Sequence, residues 1–191
     1  LINNLPLDIS FDFNAAFNSC IIAQDLPQEI RILDQAFVKD QMFDKLIDHV
    51  CKRYNHHPVK AVNIYGGKDG SKRNANSEYN YYQQIQRRFA ANGWTGYIKT
   101  EVGLADAEHK IKHFVLNAVL SEANPKIKPV RFNEDRCSHL LNSMRATPIL
   151  PDFKKDKSSE KADMPQEKAT HLSDCFDNYI YPKLHLMVRT G

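Results

Sequence analysis

Acidic residues near the two ends of the sequence have a pattern that suits metal-assisted chemistry. Asp12 lies on the polar face of the strictly alternating segment LDISFDFN, which predicts a strand. In ATHLSDCFDNYIY, His171 and Asp174 are three positions apart and share one face of a predicted helix, which Asp177 extends. A strand carboxylate facing a helix carboxylate can hold Mg²⁺, and two such ions about 4 Å apart promote phosphodiester cleavage. Taken singly, a strand or helix Asp is more often solvated, and a histidine near a helix start more often caps or packs.

The glycine-rich segment NIYGGKDGSKRN raises the separate possibility of a phosphate-binding loop. A Walker A loop requires Gly, four residues and then Gly-Lys-Ser/Thr. Counting from Gly66 places Ser71 at the second glycine, and counting from Gly67 places Lys72 there. Neither spacing fits, and the chain contains no GxGxxG. We therefore expect this loop to serve a purpose other than cradling a nucleotide.

Composition indicates a globular chain with a substantial core. Of its 191 residues, 42% are hydrophobic and 26% are charged, and the formal net charge is +3. Contacts with nucleic acid would therefore come from local patches and not from a global basic field. No apolar run reaches the ~20 residues of a membrane span. The four scattered cysteines lack a CxxC pair, and we expect reduced thiols of a cytosolic protein, mostly in or near the core.

The remaining elements predict an α/β fold with a mixed sheet. LDISFDFN, SCIIAQ and EIRILDQAFV indicate three strands in an antiparallel meander. An amphipathic helix follows, with Met42 and Phe43 at the start of its apolar stripe and Asp40 as its predicted cap. VKAVNIY then reads as a strand, and residues 77–92 as a helix. A meander followed by alternating helices and strands is the order of a ribonuclease H-like sheet flanked by helices.

The second half of the sequence alternates in the same way. GYIKT, KPVRF and TPIL indicate short strands, and residues 135–145 indicate a helix. Another helix is predicted from about Ala105 to Ser121, with Phe114 on its buried face. Residues 151–168 are charged and poor in large apolar residues, which predicts a flexible loop or an exposed hairpin. The last helix is expected to begin near Ala169 and to end before Pro182.

Three motifs together resemble the nuclease domain of large terminase subunits from tailed phages, over most of the chain. They are DISFDFN, VNIYGGKDGSKRN and ATHLSDCFDNYIY, of which the His-x-x-Asp of the last is the most specific. The resemblance implies a ribonuclease H-like endonuclease in which Asp12 and Asp174 bind two Mg²⁺ or Mn²⁺ ions and His171 assists. It implies cleavage of concatemeric viral DNA by two-metal phosphodiester hydrolysis.

The second motif departs from the family pattern. The strand usually ends in Tyr-Gly-Asp, and that acid is the second metal ligand, whereas this sequence reads Tyr65-Gly66-Gly67. Asp69 lies two residues later and is the predicted substitute, because flanking glycines permit unusual backbone angles. Glu101 is a second candidate. The missing acid also favours an alternative, a catalytically impaired module that binds DNA or docks on the portal.

Basic residues near these motifs are candidate contacts with DNA phosphates. They form two groups: Lys68, Lys72 and Arg73; and Lys154, Lys155 and Lys157. The second group is interspersed with acids and is equally compatible with a solvated loop. Tyr79, Tyr81 and Tyr82 have helical spacing, which favours packing over base stacking.

The resemblance also implies partners and a location. Residues 1–191 would be a single nuclease domain, preceded in the full-length protein by an ATPase domain, since the chain opens with Leu1 and lacks a Walker loop. Expected partners are double-stranded DNA, the small terminase subunit and the portal, with no membrane. The expected location is the cytoplasm of a bacterial host, for a phage or prophage protein. Other ribonuclease H-like enzymes, such as a transposase or a junction resolvase, remain alternatives.

Overall fold

The alternating first segment lies at the centre of a six-stranded mixed sheet in the computed structural model, which describes residues 1–13, 17–39, 43–73, 77–99, 108–161 and 165–189. β1 (Leu7–Asp12), β2 (Asn18–Asp25) and β3 (Ile30–Val38) form the predicted antiparallel meander. Leu7, Ile9 and Phe11 are fully buried on one face of β1, as the alternation predicts.

Later strands extend both edges of this meander in parallel. β4 (Ala61–Gly66) pairs with β1, and β5 (Thr95–Ile98) pairs with β4. β6 (Val130–Phe132) pairs with β3, so the strand order is β5-β4-β1-β2-β3-β6. The carboxyl ends of β1 and β4 therefore lie side by side, at the edge where open α/β sheets bind ligands.

Helices cover both faces of the sheet. In the described part of the chain these are α1 (Phe43–Arg53), α2 (Tyr81–Ala91), α3 (His109–Leu120), α4 (Ser138–Ala146) and α5 (His171–Arg189). α1 and α2 pack against the apolar face of β1 in one core cluster. α3, α4 and α5 form the second cluster with Ile21, Ala23 and other residues of β2, β3 and β4. The fold class, a mixed sheet flanked by helices, is as predicted.

The polar face of β1 is buried beneath α5 and does not face solvent. Asp8 is 4% exposed and Ser10 is fully buried. Tyr179 donates a hydrogen bond to Asp8 Oδ2 at 2.6 Å, and Asn63 donates to Asp8 Oδ1 at 2.7 Å. A buried carboxylate needs such partners because it has lost its hydration. The Tyr179 bond ties α5 to β1 and so helps to position the first turn of the helix, whereas the Asn63 bond joins β1 to the neighbouring strand β4.

Helix α5 is longer than the sequence predicts. It continues through Pro182 to Arg189, although a proline lacks the N–H that the helix ladder uses. Tyr179, Ile180 and Leu184 are buried on both sides of the proline. Packing of this apolar face against the sheet and α4 outweighs the missing hydrogen bond.

Two other expectations need correction. Phe114 is 53% exposed, because α3 turns Val115 and Val119 inward instead. TPIL forms no extended strand; Ile149 makes an isolated antiparallel bridge to Lys155. Residues 149–155 are thus a short hairpin, one of the two forms expected for this segment, and its Lys155 side chain is only 17% exposed.

Several expectations fall outside the described residues: the Asp40 cap, Met42, Glu101 and the start of the third helix at Ala105. The four cysteines are free and buried, as predicted: Cys20, Cys51, Cys137 and Cys175. None of the helices seen in the described segments is long and apolar enough to cross a membrane.

Candidate active site

A pocket lies at the carboxyl edge of the two central strands. Asp12 ends β1, Gly67 follows β4, and the first turns of α5 close the pocket from the opposite side. Its acidic and polar lining comprises Asp12, Asp69, Asp174, Asp177 and Asn178. The structure therefore brings together the first and third motifs, which are 159 positions apart at Asp12 and His171.

His171 is held between two oxygen atoms. Its Nδ1 lies 3.0 Å from Asp12 Oδ2, and its Nε2 lies 3.0 Å from Gln166 Oε1. The amide nitrogen of Gln166 donates to the Lys161 carbonyl at 2.7 Å, which turns the amide oxygen toward His171. His171 Nε2 must then be the donor to Gln166, since an amide oxygen only accepts.

The contact between Asp12 and His171 consequently requires a second proton. With Nε2 already protonated, either Nδ1 also carries a proton or Asp12 does. Burial raises the pKa of Asp12, and the nearby negative charge of Asp174 adds to this, against the lowering effect of the His171 hydrogen bond. We therefore describe Asp12 and His171 as a pair that holds one proton across 3.0 Å. Stacking of the imidazole on Phe17, at 5.0 Å between ring centres, fixes the ring plane.

Two lysines from the charged segment neutralise Asp174. Lys155 Nζ lies 3.0 Å from Asp174 Oδ1, and Lys157 Nζ lies 2.8 Å from Oδ2. Burial acts to raise the pKa of Asp174, but the two ammonium groups outweigh it and lower that pKa to about 2. Asp174 is therefore ionised at neutral pH, in contrast to the shared proton at Asp12.

Lys155 is enclosed by acceptors, whereas Lys157 is open to solvent. Lys155 Nζ also lies 2.7 Å from Asp177 Oδ2 and donates to Ser173 Oγ at 2.9 Å. The Lys157 side chain is 54% exposed and has a second partner in Glu160. Lys155 is thus a fixed part of the acidic cluster, and the predicted phosphate contact suits Lys157 better.

The glycines after β4 provide space for aromatic rings. A Cβ atom on Gly66 would approach Phe13 Cε2 to 2.6 Å, and one on Gly70 would approach Tyr82 Cε2 to 2.3 Å. The hydroxyl of Tyr82 donates to the Gly67 carbonyl at 2.8 Å and fixes the loop. Among the glycines described, positive φ occurs at Gly93 alone. Gly66 and Gly70 are therefore required by close packing of the aromatic rings and not by unusual backbone angles.

Gly67 differs from these two glycines because a side chain fits there. Its φ and ψ of −78° and 175° are extended values open to any residue, and its nearest Cβ neighbour would be Asn178 Nδ2 at 3.5 Å. Position 67 lies on the pocket wall, where the family pattern has an acid. The structure thus has room for the missing carboxylate.

Asp69, the predicted substitute for the missing acid, lies at the rim of the pocket, as do the predicted phosphate contacts Lys68, Lys72 and Lys154. Asp69 lies in a single 3₁₀ turn, Lys68–Ser71, with its side chain 60% exposed and 2.5 Å from Lys72 Nζ. Lys154 is 54% exposed and pairs with Asp152. Arg73 makes an isolated bridge to Asn80 beside α2. Sequence reasoning missed Lys112, His109, His113 and Phe153, which also line the pocket.

Asp12 and Asp174 offer oxygen ligands to a cation, but the described residues do not form a complete metal site. Carboxylate oxygens of Asp12 and Asp174 are ligands that Mg²⁺ and Mn²⁺ favour. Within the part of the chain that the structure describes, however, no cluster of three or more His, Cys, Asp or Glu side chains could hold a metal ion. The acid expected at position 67 is absent, and Asp69 is paired at the rim.

This topology and the position of the pocket define a ribonuclease H-like fold. In that fold the chain is similar to the large terminase from a thermophilic bacteriophage, with 10% identity and a TM-score of 0.56. The match covers 94% of this chain and 39% of that one. The chain is also similar to the nuclease domain of the large terminase subunit of bacterial virus Sf6, with 10% identity, a TM-score of 0.48, and 92% and 88% coverage.

The match to the thermophilic phage terminase confirms the predicted likeness to large terminases at the level of the fold. No protein-family model and no curated protein matches the chain. We rest the fold assignment on the match to the thermophilic phage terminase, whose TM-score exceeds 0.5. This chain spans only 39% of the length of that terminase, so the match does not extend to the activity and partners of the whole protein.

Proposed function

We propose that this chain is the nuclease domain of a phage large terminase and hydrolyses DNA phosphodiester bonds with a divalent cation. One observation carries the proposal: Asp12 and Asp174 line one pocket at the carboxyl ends of two parallel strands, and the buried His171 lies 3.0 Å from Asp12. Their spacing in the sequence gives no reason for this meeting, whereas a nuclease of this fold requires it. The same proposal includes an ATPase domain in the full-length protein, the small terminase subunit and the portal as partners, and the cytoplasm of a bacterial host as the location.

Asp12 and Asp174 would hold the cation, which supplies Lewis-acid polarisation of the phosphate and a more acidic water. His171 orients Asp12 and accepts or returns the proton that the pair shares, across 3.0 Å. A cation on Asp174 would have to displace one of its lysines. Lys157 is the one that can move, since its ammonium is exposed and could pair with a phosphate oxygen instead. Lys155 stays between Asp174 and Asp177, with its Nζ 3.0 Å from Asp174 Oδ1 and 2.7 Å from Asp177 Oδ2.

A second function is favoured by one specific observation, the neutralised cluster beside Gly67. Both oxygens of Asp174 are paired to lysines, and position 67 carries no acid. A pocket with this balance of charge could bind a DNA phosphate without cleaving the phosphodiester bond. A DNA-binding or portal-docking module with impaired catalysis would have these features.

Cleavage of supercoiled plasmid with Mg²⁺ or Mn²⁺ tests the proposal, with EDTA, Asp12→Ala and Asp174→Ala as controls. Nicking that requires the metal and is abolished by both substitutions, in variants that still melt cooperatively, supports the nuclease. Full activity of Asp174→Ala would contradict the site. Inactivity of the folded chain, relieved by Gly67→Asp, would favour the impaired module. Preference for branched DNA would indicate a resolvase instead.

A further inference from the structure

An aromatic cluster stands beside the acidic part of the pocket, between α3 and the hairpin of residues 149–155. The ring centres of Phe114 and Phe153 are 5.6 Å apart, and His113 lies 6.0 Å from the first and 5.5 Å from the second. His113 and Phe153 line the same pocket as Asp12 and Asp174. The cluster is therefore part of one continuous surface with the proposed catalytic residues.

These rings are poorly buried for their size. Phe114 is 53% exposed and Phe153 is only partly buried, although both are large and apolar. Phe153 moreover has a φ of +64°, a left-handed conformation that is a genuine outlier for a bulky residue. Its backbone N–H closes the hairpin turn by donating to the Leu150 carbonyl at 2.9 Å. A glycine would satisfy this turn without strain, so the aromatic side chain is unexplained by the fold.

One lysine lies over the cluster, and two more line the pocket. Lys110 Nζ lies 5.9 Å from the centre of the Phe153 ring, and Lys112 and Lys154, which also pair with Asp177 and Asp152, are part of the pocket lining. Exposed aromatic faces flanked by lysines are the combination that binds single-stranded nucleic acid, since rings stack on bases while ammonium groups contact phosphates. The face of a base in an intact duplex is covered by its neighbours, so the matching ligand is an unpaired base.

We propose that Phe114 and Phe153, with His113 beside them, form a stacking platform for an unpaired base of the DNA strand that enters the pocket. This inference rests on the proposed function and deepens it, because it assigns a preference for frayed or single-stranded DNA next to the cleavage point.

The test measures binding in EDTA, where cleavage cannot occur, so its outcome is independent of the nuclease assay. Single-stranded oligonucleotides carry one 2-aminopurine, whose fluorescence falls on stacking, and a matched set carries an abasic site instead. The variants are Phe114→Leu, Phe153→Leu and the double substitution, which keep apolar bulk and, at position 153, the same backbone strain. Tyr97→Leu is the control, because Tyr97 is 51% exposed with Lys99 5.8 Å from its ring centre but lies outside the pocket lining.

We expect the double variant to lose about tenfold in affinity for the intact oligonucleotide and to lose the quenching, with Tyr97→Leu unchanged. The abasic oligonucleotide should bind the native chain and the double variant alike. Equal binding of both oligonucleotides by the native chain, or no binding at all, overturns the platform. The plasmid assay decides the nuclease separately. Should Phe153→Leu fail to melt cooperatively, Phe114→Leu alone, at an exposed position, gives the answer.

Discussion

His171 Nδ1 lies 3.0 Å from Asp12 Oδ2, while the opposite ring nitrogen of His171 is committed to Gln166. In the proposed nuclease, this relationship couples cation binding to a proton. The raised pKa of Asp12 means that its proton is held to higher pH than in a free carboxyl. A cation that uses Asp12 must displace the shared proton or move it onto His171.

Metal affinity should therefore rise with pH. Because the pKa of Asp12 is raised, the competing proton is lost only as pH climbs through that raised value, and Mn²⁺ binding should strengthen over the same interval. Calorimetric titration in buffers of different ionisation enthalpy measures the protons released. His171→Asn should change that number, and Lys154→Ala, on the exposed rim, should not. Binding that is flat with pH would argue against the shared proton.

Gly67→Asp should strengthen metal binding about tenfold, since a third carboxylate raises the charge of the ligand set. The substitution needs no backbone adjustment, because φ is −78° and the nearest neighbour of a Cβ is 3.5 Å away. Gly67→Asn is the matched control, with the same shape and no charge. Equal affinities of the two variants would mean that position 67 does not face the cation.

Loss of Asp174 should cost stability in a way that depends on pH. Its pKa is lowered to about 2, so its contribution, about 2 kcal/mol, is present above the unfolded pKa of about 4 and disappears as pH falls through about 2. Denaturant unfolding of the native chain and Asp174→Asn should show the full difference at pH 7 and a smaller one at pH 3. A constant difference would assign the effect to packing.

The two lysines should respond differently to truncation. Lys157→Ala removes an exposed partner of Asp174, so we expect about threefold tighter Mg²⁺ binding and little change in stability. Lys155→Ala leaves Asp174 and Asp177 facing each other without the enclosed ammonium, which should destabilise the fold by about 3 kcal/mol. Calorimetry and thermal melts separate the two effects. Equal destabilisation by both substitutions would contradict the difference in their enclosure.

The sequence predicts the meander and the alternation because period-2 and helical patterns are local properties. It also places Asp12 and His171 on the correct elements. It does not predict that α5 lies along β1, since that contact depends on the hydrogen bond from Tyr179 to Asp8, two residues 171 positions apart. The burial of Lys155 could not be predicted for the same reason. Its acidic partners, Asp174 and Asp177, lie on α5 and contact it only in the folded chain.

The glycine-rich loop shows a second limit. Its spacing does not fit a Walker loop, but the reason for Gly66 and Gly70 is the bulk of Phe13 and Tyr82, which only the assembled loop reveals. Likewise, Phe114 has the spacing of a core residue, but it is exposed because α3 packs through Val115 and Val119.

The position of α5 also determines at what stage of folding the pocket forms. Asp12 leaves the ribosome 159 residues before His171, its partner. Contacts of such separation are closed late in folding, because the entropy of the intervening loop must be overcome first. A nascent chain in which α5 has not docked therefore has the central sheet but lacks the pocket that Asp12 and Asp174 line. In the proposed nuclease, cleavage would become possible only after this helix has docked.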